Sequence, residues 1–472
     1  MAHVRLFRHY IHTPYLVLAI VEFVVLVACA YLGLAIRLGP DAVGSEYFIS
    51  ASVFAAASVV GMFAMGAYES RSSEGLTGMT LRSAVGLFLL GNSAIAVLTF
   101  LTPVISFGRG VLLVTDITSI VVITALRFGA LKFIAMDSLK TRVLVLGTGK
   151  QALKIAARMR RSADRVGFKV VGFVQDKPDL DLISELDDPV LKINEPLVDY
   201  CLAHDVQEVV VAVDERRRNQ PGGGGLPIDE LLDCRLRGIN VCDVYAFVER
   251  EAGKVDVEML NPSWMVFSDG FISTSASLVI KRAFDVVLAA VVALLTFPLM
   301  LITAGCIWVE SGFRGPIFYR QVRVGKDGRE FEVVKFRSMR TDAESDGVAR
   351  WATEDDDRIT RIGGIIRRTR LDELPQLYNV LRGEMSFVGP RPERPEFVQT
   401  LAEQIPYYDY RHSMKPGLTG WAQLCYPYGA SVEDSKEKLQ FDLYYMKNHS
   451  ILLDLVILIQ TAEVVLIGEG AR

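Results

Sequence analysis

Residues 281–312 read KRAFDVVLAAVVALLTFPLMLITAGCIWVESG, and how this run meets a membrane decides the fold. Its apolar part, Val286 to Val309, is long enough to cross a bilayer as a helix. Pro298 stands at its middle, where it removes an intrahelical hydrogen bond and kinks the chain. A full crossing would put everything after Gly312 on the opposite side of the membrane from everything before Lys281. A helix broken at Pro298 that dips into one leaflet and returns keeps both flanks on one side, with Lys281 and Arg282 at the headgroups. This re-entrant reading is preferred, because a fifth crossing would strand the basic segment that follows, and its cysteine, in an oxidising compartment.

At 472 residues, 51% of them hydrophobic, the chain is too long for one domain and too apolar for a wholly soluble one. A formal net charge of −4 gives no sign of a nucleic-acid partner. The six cysteines (Cys29, Cys201, Cys234, Cys242, Cys306 and Cys425) form no CxxC and no Cys/His cluster. They read as reduced packing residues, so the soluble parts face the cytoplasm and hold no structural zinc.

Upstream of residue 281, four apolar runs are long enough to span: about Tyr15 to Ile36, Tyr47 to Tyr68, Leu81 to Leu101 and Val111 to Ala135. No small-residue cleavage site follows the first, so it reads as an anchor and not a signal peptide. The first and third connections hold only Arg109, whereas the second holds Arg71 and Arg82, and Arg127, Lys132 and Lys140 close the fourth run. The positive-inside rule therefore places the N-terminus and everything after Lys140 in the cytoplasm. Glu22, Asp116 and Arg127 lie in or near these spans, where they pair inside a four-helix bundle or Arg127 snorkels.

Arg142 to Asp176 reads as strand, Gly-rich turn, helix, strand. Gly147 and Gly149 make the tight turn of a dinucleotide fold, with Ala152 in place of the third glycine, and a phosphate could sit at the helix N-terminus. A strand from Glu208 to Val213 and a helix-strand pair from Ile228 to Val241 continue a parallel α/β pattern. The favoured reading is a structural or regulatory Rossmann-like module. Asp214 to Pro227, DERRRNQPGGGGLP, reads as a solvated loop within it.

Downstream, RRTRLDELPQLYNVLRGEMSFVGPRPERPEF (367–397) combines arginines, an Asp-Glu pair, an amphipathic helix and a Gly-Pro-Arg-Pro turn. Leu374, Leu377, Tyr378 and Leu381 have the spacing of one buried helix face, with Asp372 at its N-terminus and Pro375 in its first turn. A carboxylate there caps the helix and stays ionised. Arg367, Arg368, Arg370 and Arg391 around the pair suit a metal and a phosphate better than a simple cap.

GPIFYRQVRVGKDGREFEVVKFRSM (315–339), the run 356–392 and KPGLTGWAQL (415–424) resemble, in order, motifs of the bacterial sugar transferase family. These are the polyprenyl-phosphate hexose-1-phosphate transferases of exopolysaccharide and O-antigen synthesis. The resemblance runs from about Lys281 to the C-terminus. Four N-terminal spans and a Rossmann-like module resemble the large subclass in architecture. The resemblance implies transfer of a sugar-1-phosphate from a UDP-sugar to undecaprenyl phosphate, with release of UMP, at the cytoplasmic face of the bacterial inner membrane. It implies Asp372 as nucleophile, forming a covalent phosphosugar, and Glu373 as the holder of Mg2+. Arg391, Lys335, Arg337 and Arg323 are the matching candidates for phosphate and nucleotide-sugar binding. Asp442 assists the metal or caps its helix. Many members carry a serine before the membrane proline; here Phe297 stands there, so the backbone groups freed at Pro298 need another partner.

The expected fold is therefore a membrane protein with an α-helical transmembrane bundle (1–139), an α/β Rossmann-like cytoplasmic module (140–250), a linker (251–277) and a mainly α monotopic catalytic domain (278–472) whose re-entrant helix occupies about 281–310. Ile451 onward, apolar but with Asp454, Gln460 and Glu463, reads as an interfacial or core-packing helix. The sugar, and whether the Rossmann-like module binds a ligand or only mediates homodimer contacts, stay open in the sequence. A membrane-bound nucleotide-sugar dehydratase or epimerase needs a Tyr-x-x-x-Lys pair, and no tyrosine here has a lysine four residues on. The remaining rivals are a classical inverting glycosyltransferase, which would release UDP and not UMP, and a non-enzymatic scaffold of an export complex.

Overall fold

Unbroken apolar sequence makes the first elements long helices: Thr13–Leu38, Phe48–Ala64 and Arg109–Ile134. The computed structural model describes residues 3–6, 9–39, 44–65, 67–68, 80, 83–101, 107–134, 140–158, 167–175, 183, 189–214, 226–258, 270–271, 274–341, 343, 358–426, 429 and 431–467. Arg71, Arg82, most of the expected loop 214–227 and residues 259–269 of the expected linker lie outside them. Contacts divide the chain into two compact units, Met1–Gly253 and Lys254–Arg472.

In the first unit a short antiparallel hairpin, β1 (His3–Leu6) and β2 (His9–His12), precedes the first long helix. The expected third span is helical from 83 to 101 but contains a π-helical stretch, Gly86–Gly91, before Asn92–Leu101. Small residues let backbones approach there. A Cβ on Gly86 would lie 2.8 Å from the Gly61 carbonyl carbon, and one on Gly91 2.5 Å from Ser58 Oγ. Leu26, Leu34, Phe54, Met62 and Ile123 fill the bundle core. Of the charges expected to pair inside it, Arg127 and Glu22 do so. Arg127 Nε donates to Glu22 Oε1 at 2.5 Å, Nη2 to Oε2 at 2.9 Å and Nη1 to Ser83 Oγ at 2.7 Å, while Tyr68 donates to Glu22. Asp116 accepts from Asn92 Nδ2 at 2.7 Å. In hydrocarbon a charge such as Arg127 or Glu22 left unpaired would cost about 3 kcal/mol or more, so their pairing stabilises the bundle.

The same unit carries a five-stranded parallel sheet of β3 (Thr141–Leu146), β4 (Phe168–Val174), β5 (Val190–Leu191), β6 (Glu208–Val211) and β7 (Asn240–Asp243). The order is β5-β4-β3-β6-β7, the order of a doubly wound fold with strands on both sides of β3. Val143, Leu144 and Val145 in succession are fully buried, as a strand covered on both faces requires. Ala152, also fully buried, lets the helix Lys150–Arg158 approach the sheet.

The second unit begins inside the expected linker. Val255 N donates to Gln440 O at 3.0 Å, and Val255 and Val257 belong to its core. The helix from Ser275 to Glu310 is one continuous element with Pro298 inside it, not the two broken segments expected from the sequence. Thr296 Oγ donates to Val292 O at 2.7 Å and Thr303 Oγ to Leu299 O at 2.9 Å, hydroxyl support on either side of the proline in place of a serine at 297. Both flanks of this helix pack on the same unit. Leu288, Ala289, Val292 and Ala293 join the main core, and Met300, Ala304 and Ile307 pack with Phe336 and Ile366. Between and around them Leu294 is 76% exposed and Leu295 74%, with Phe297, Leu301 and Ile302 also exposed. Each such side chain gains about 1.5–3 kcal/mol on leaving water, so this surface belongs in lipid.

Lys281 is not at the headgroups. It is buried, with Nζ 2.8 Å from Asp454 Oδ2 and 3.4 Å from Asp285 Oδ1. Arg282 donates to the Val380 and Leu381 carbonyls at 2.6 and 2.7 Å. A helix root that must dock on a protein core cannot spare its cations for lipid. Asp454, fully buried, also makes Ile451–Ile467 a core-packing helix, with Leu453, Val456 and Ile457 beside it.

Candidate active site

Four elements converge on the Asp-Glu pair. β8 (Phe318–Val324) and β9 (Glu330–Phe336) form an antiparallel hairpin, and Lys335 projects from β9. The helix Arg361–Arg368 leads to Arg370, which sits at φ 57° in the left-handed region. That strained residue starts a 3-10 turn, Leu371–Gln376, which continues as the α-helix Leu377–Arg382. Because the first six residues wind at about 120° per residue, not 100°, the buried face departs from the expected one. Leu377 and Val380 are buried, whereas Tyr378 and Leu381 are exposed.

Asn379 fixes this helix against β9. Its Nδ2 donates to Glu332 O at 2.7 Å and its Oδ1 accepts from Val334 N at 3.1 Å, so Lys335 is held opposite Glu373. Lys335 Nζ lies 2.9 Å from Glu373 Oε1, and Arg391 Nη2 lies 3.3 Å from the same oxygen. Glu373 Oε2 makes no hydrogen bond to the described residues, and neither oxygen of Asp372 does. Asp372 does not cap the turn: it is the second residue of the 3-10 turn, and no side-chain cap is made.

The two acids are driven apart. Burial raises the Asp372 pKa, the Glu373 charge raises it further, and Lys335, Arg367 and Arg370 only partly oppose this. Asp372 is thus harder to ionise than the sequence reading expected. Burial also pushes Glu373 up, but Lys335 and Arg391 outweigh it and hold Glu373 well below the usual carboxylate range. Burial lowers Lys335 against the pull of Glu373.

The Gly-Pro-Arg-Pro turn follows β10 (Ser386–Val388), which pairs in parallel with β11 (Gly417–Thr419). Gly389 must be glycine, since a Cβ would lie 2.5 Å from Lys415 O. The turn is clamped twice: Arg411 Nη2 donates to Arg391 O at 3.0 Å, and Arg323 Nη1 to Pro392 O at 3.1 Å. Arg323 also bonds Gln321 Oε1 at 2.6 Å, so it shapes the turn as well as charging it. Beneath β10, Asp285 Oδ1 accepts from Ser386 Oγ at 3.0 Å and Phe387 N at 3.1 Å, and Tyr445 donates to Asp454 Oδ1 at 2.6 Å and Val388 O at 3.2 Å. The root of the long helix is thereby bonded to the strand that leads to Arg391.

Two expected site residues stand apart from the pair. Arg337 lies against Gly315, and its buried Nε meets no hydrogen-bond partner among the described residues. Asp442 neither caps a helix nor joins the acids: it lies within Val432–Asn448, buried, and accepts from Arg411 Nη2 at 2.9 Å. Burial pushes it up to about 6 despite Arg411. Among the described residues no three His, Cys, Asp or Glu side chains gather as a metal cage. One or two carboxylates suffice for Mg2+ when substrate phosphates supply further oxygens, and Glu373 Oε2 with Asp372 fits that donor set.

Comparison with known proteins bears on this geometry. A UDP-glucose:undecaprenyl-phosphate glucose-1-phosphate transferase of Xanthomonas campestris pv. campestris is 31% identical over 97% of this chain and 95% of its own length. This chain belongs to the bacterial sugar transferase family. The family model for bacterial sugar transferases covers residues 276–468 of this sugar transferase, hence the long helix and every residue of the site. A UDP-N-acetylgalactosamine-undecaprenyl-phosphate N-acetylgalactosaminephosphotransferase of Aeromonas hydrophila is 42% identical over 51% of the chain and 56% of its own length. A UDP-galactose-lipid carrier transferase of Erwinia amylovora is 33% identical over 70% of the chain and 69% of its own. A second family model, described as a CoA-binding domain, matches residues 63–220, from the bundle into the parallel sheet.

Asn379, Arg411 and Asp285 escaped the sequence reading. Arg411 and Asn379 carry no local signal. Lys281 and Asp285, opposite charges four residues apart on an otherwise apolar helix, were a legible one.

Proposed function

We propose that this sugar transferase moves a hexose-1-phosphate from a UDP-sugar to undecaprenyl phosphate, at the cytoplasmic face of the bacterial inner membrane, and so starts an exopolysaccharide or O-antigen type glycan. The observation that carries the reading is Asp372: a buried carboxylate that meets no hydrogen-bond donor among the described residues, beside a Glu373 clamped by Lys335 and Arg391. Asp372 attacks the sugar-linked phosphorus; a new P–O bond forms, the bond to the bridging oxygen breaks, and UMP leaves with that oxygen. An oxygen of undecaprenyl phosphate then attacks the same phosphorus, releasing Asp372 and the polyprenyl diphosphosugar. Arg391 and Lys335 meet the phosphate charge, worth about 3 kcal/mol for one well-placed donor in a water-poor site. Mg2+, held by Glu373 with Asp372 nearby, would neutralise the diphosphate when bound.

The long helix is read as re-entrant, because both its flanks pack on one unit and its middle offers lipid an apolar surface. The Rossmann-like module is read as a homodimer contact, since Ile228, Leu232 and Leu236 are exposed along one face of Ile228–Leu236. Mass photometry in lipid discs checks that last reading; monomers that persist at micromolar concentration exclude it.

The relatives act on glucose, galactose and N-acetylgalactosamine donors by name. The test is enzyme in lipid discs with undecaprenyl phosphate, Mg2+ and UDP-glucose, UDP-galactose or UDP-N-acetylgalactosamine, with nucleotide products separated. UMP release with one donor is expected. UDP release would point to an ordinary glycosyl transfer, and no release beside an active control would remove the assignment.

A further inference from the structure

The turn between β3 and the helix Lys150–Arg158 has the spacing of a dinucleotide-binding turn, and a family model described as a CoA-binding domain extends across it. Both kinds of ligand would use the amides at the start of that helix as a phosphate seat. In this chain the seat is taken. Asp214 Oδ2 accepts from Lys150 N at 2.9 Å, and Asp214 Oδ1 accepts from Gln151 N at 3.0 Å. One carboxylate uses both oxygens on the first two amides of the helix, where the dipole favours an anion.

The backbone is built to deliver it. Gly147 sits at φ +121°, and a Cβ there would lie 2.6 Å from Ala212 O. Ala212 N donates to Leu146 O at 2.8 Å, and Gly147 N donates to Val174 O at 2.9 Å. The glycine thus serves a close crossing between the turn and the end of β6, not the approach of a ligand. Two residues beyond that crossing, Asp214 arrives over the helix start.

We infer that Asp214 is a built-in ligand of the Rossmann-like module: its carboxylate stands where a phosphate would stand, and the module takes neither CoA nor a dinucleotide through the turn at 147–151. An incoming phosphate would have to displace an anion tethered beside the seat, whose effective concentration is on the order of millimolar or more. The carboxylate instead ties the end of β6 to the helix that follows β3, cross-linking neighbouring strands through their loops.

The test is amide hydrogen exchange at Lys150 and Gln151 in the full-length chain in lipid discs, for wild type, Asp214→Ala and Asp214→Asn, each with and without CoA or inorganic pyrophosphate. Wild type should be protected and indifferent to both probes. Asp214→Ala should exchange about fivefold faster at these two amides, the usual loss on removing a helix cap. Pyrophosphate should restore part of that protection, because the seat is then open. Asp214→Asn keeps an acceptor oxygen and should fall between. Saturable extra protection of the wild type by CoA or pyrophosphate would overturn the inference, and so would unchanged exchange in both variants.

Discussion

Two helix starts in this protein place a carboxylate among positive partners, and they do so in opposite ways. At Lys150–Arg158 the Asp214 carboxylate is saturated by two backbone amides that cannot move away. At Leu371–Gln376 Asp372 meets no hydrogen-bond donor among the described residues, and its cations Lys335, Arg367 and Arg370 act on it only through space. An anion satisfied by amides is a structural tie. An anion left short of donors, beside a Glu373 that has absorbed two of the nearby cations, keeps its lone pairs unspent, as the proposed attack on phosphorus requires. The lesson is that a helix-start acid is read by what its oxygens touch, not by its position.

The sharpest way to break this contrast is Asp372→Asn. It should leave expression and folding intact and reduce UMP release by at least ~10³-fold, as loss of a nucleophile does; near-normal turnover would instead mean that Asp372 is not the nucleophile. Next come Lys335→Met and Arg391→Met, each expected to lower kcat about 10²- to 10³-fold while the enzyme still folds. If either changes only KM, that cation binds the donor without stabilising charge in the transition state.

Asp442→Asn sharpens the comparison from a third acid. It should strand the buried Arg411 and cost roughly 3–5 kcal/mol of stability, seen as a lowered Tm, without altering the Mg2+ dependence of the remaining activity. A shifted Mg2+ dependence would return Asp442 to the metal. The smallest effect is on pH. Since Asp372 must be ionised to attack and its pKa is raised, turnover should decline as pH falls through a value above the ordinary aspartate range of about 4. An acid limb below that range would mean that Asp372 is not the group titrating.

Much of the site was legible because its residues lie in contiguous motifs. Asp372, Glu373, Lys335 and Arg391 come together as the motifs implied. Arg337 was read from the same KFRSM motif as Lys335, yet it lies just beyond β9 and packs against Gly315. The amphipathic face of 374–381 was misread because a left-handed Arg370 and a 3-10 turn have no periodic signature of their own. Lys281 was assigned to lipid by its place at the end of an apolar run, although Asp454, its partner, lies far along the chain.

What the sequence by itself determined was every feature written in local pattern: the long apolar helices, the parallel α/β module, the order of the motifs and the adjacent Asp-Glu pair. Hydropathy and periodicity are properties of neighbours along a chain, so they survive without coordinates. Only the tertiary structure decided which charges were spent on one another. Glu22 with Arg127, Lys281 with Asp454, Arg411 with Asp442 and Asp214 with the amides of residues 150 and 151 are all pairings across long loops. The energy of a charge depends on the partner that folding brings to it. That dependence is what separates the acid proposed to react, Asp372, from the acids that hold the protein together.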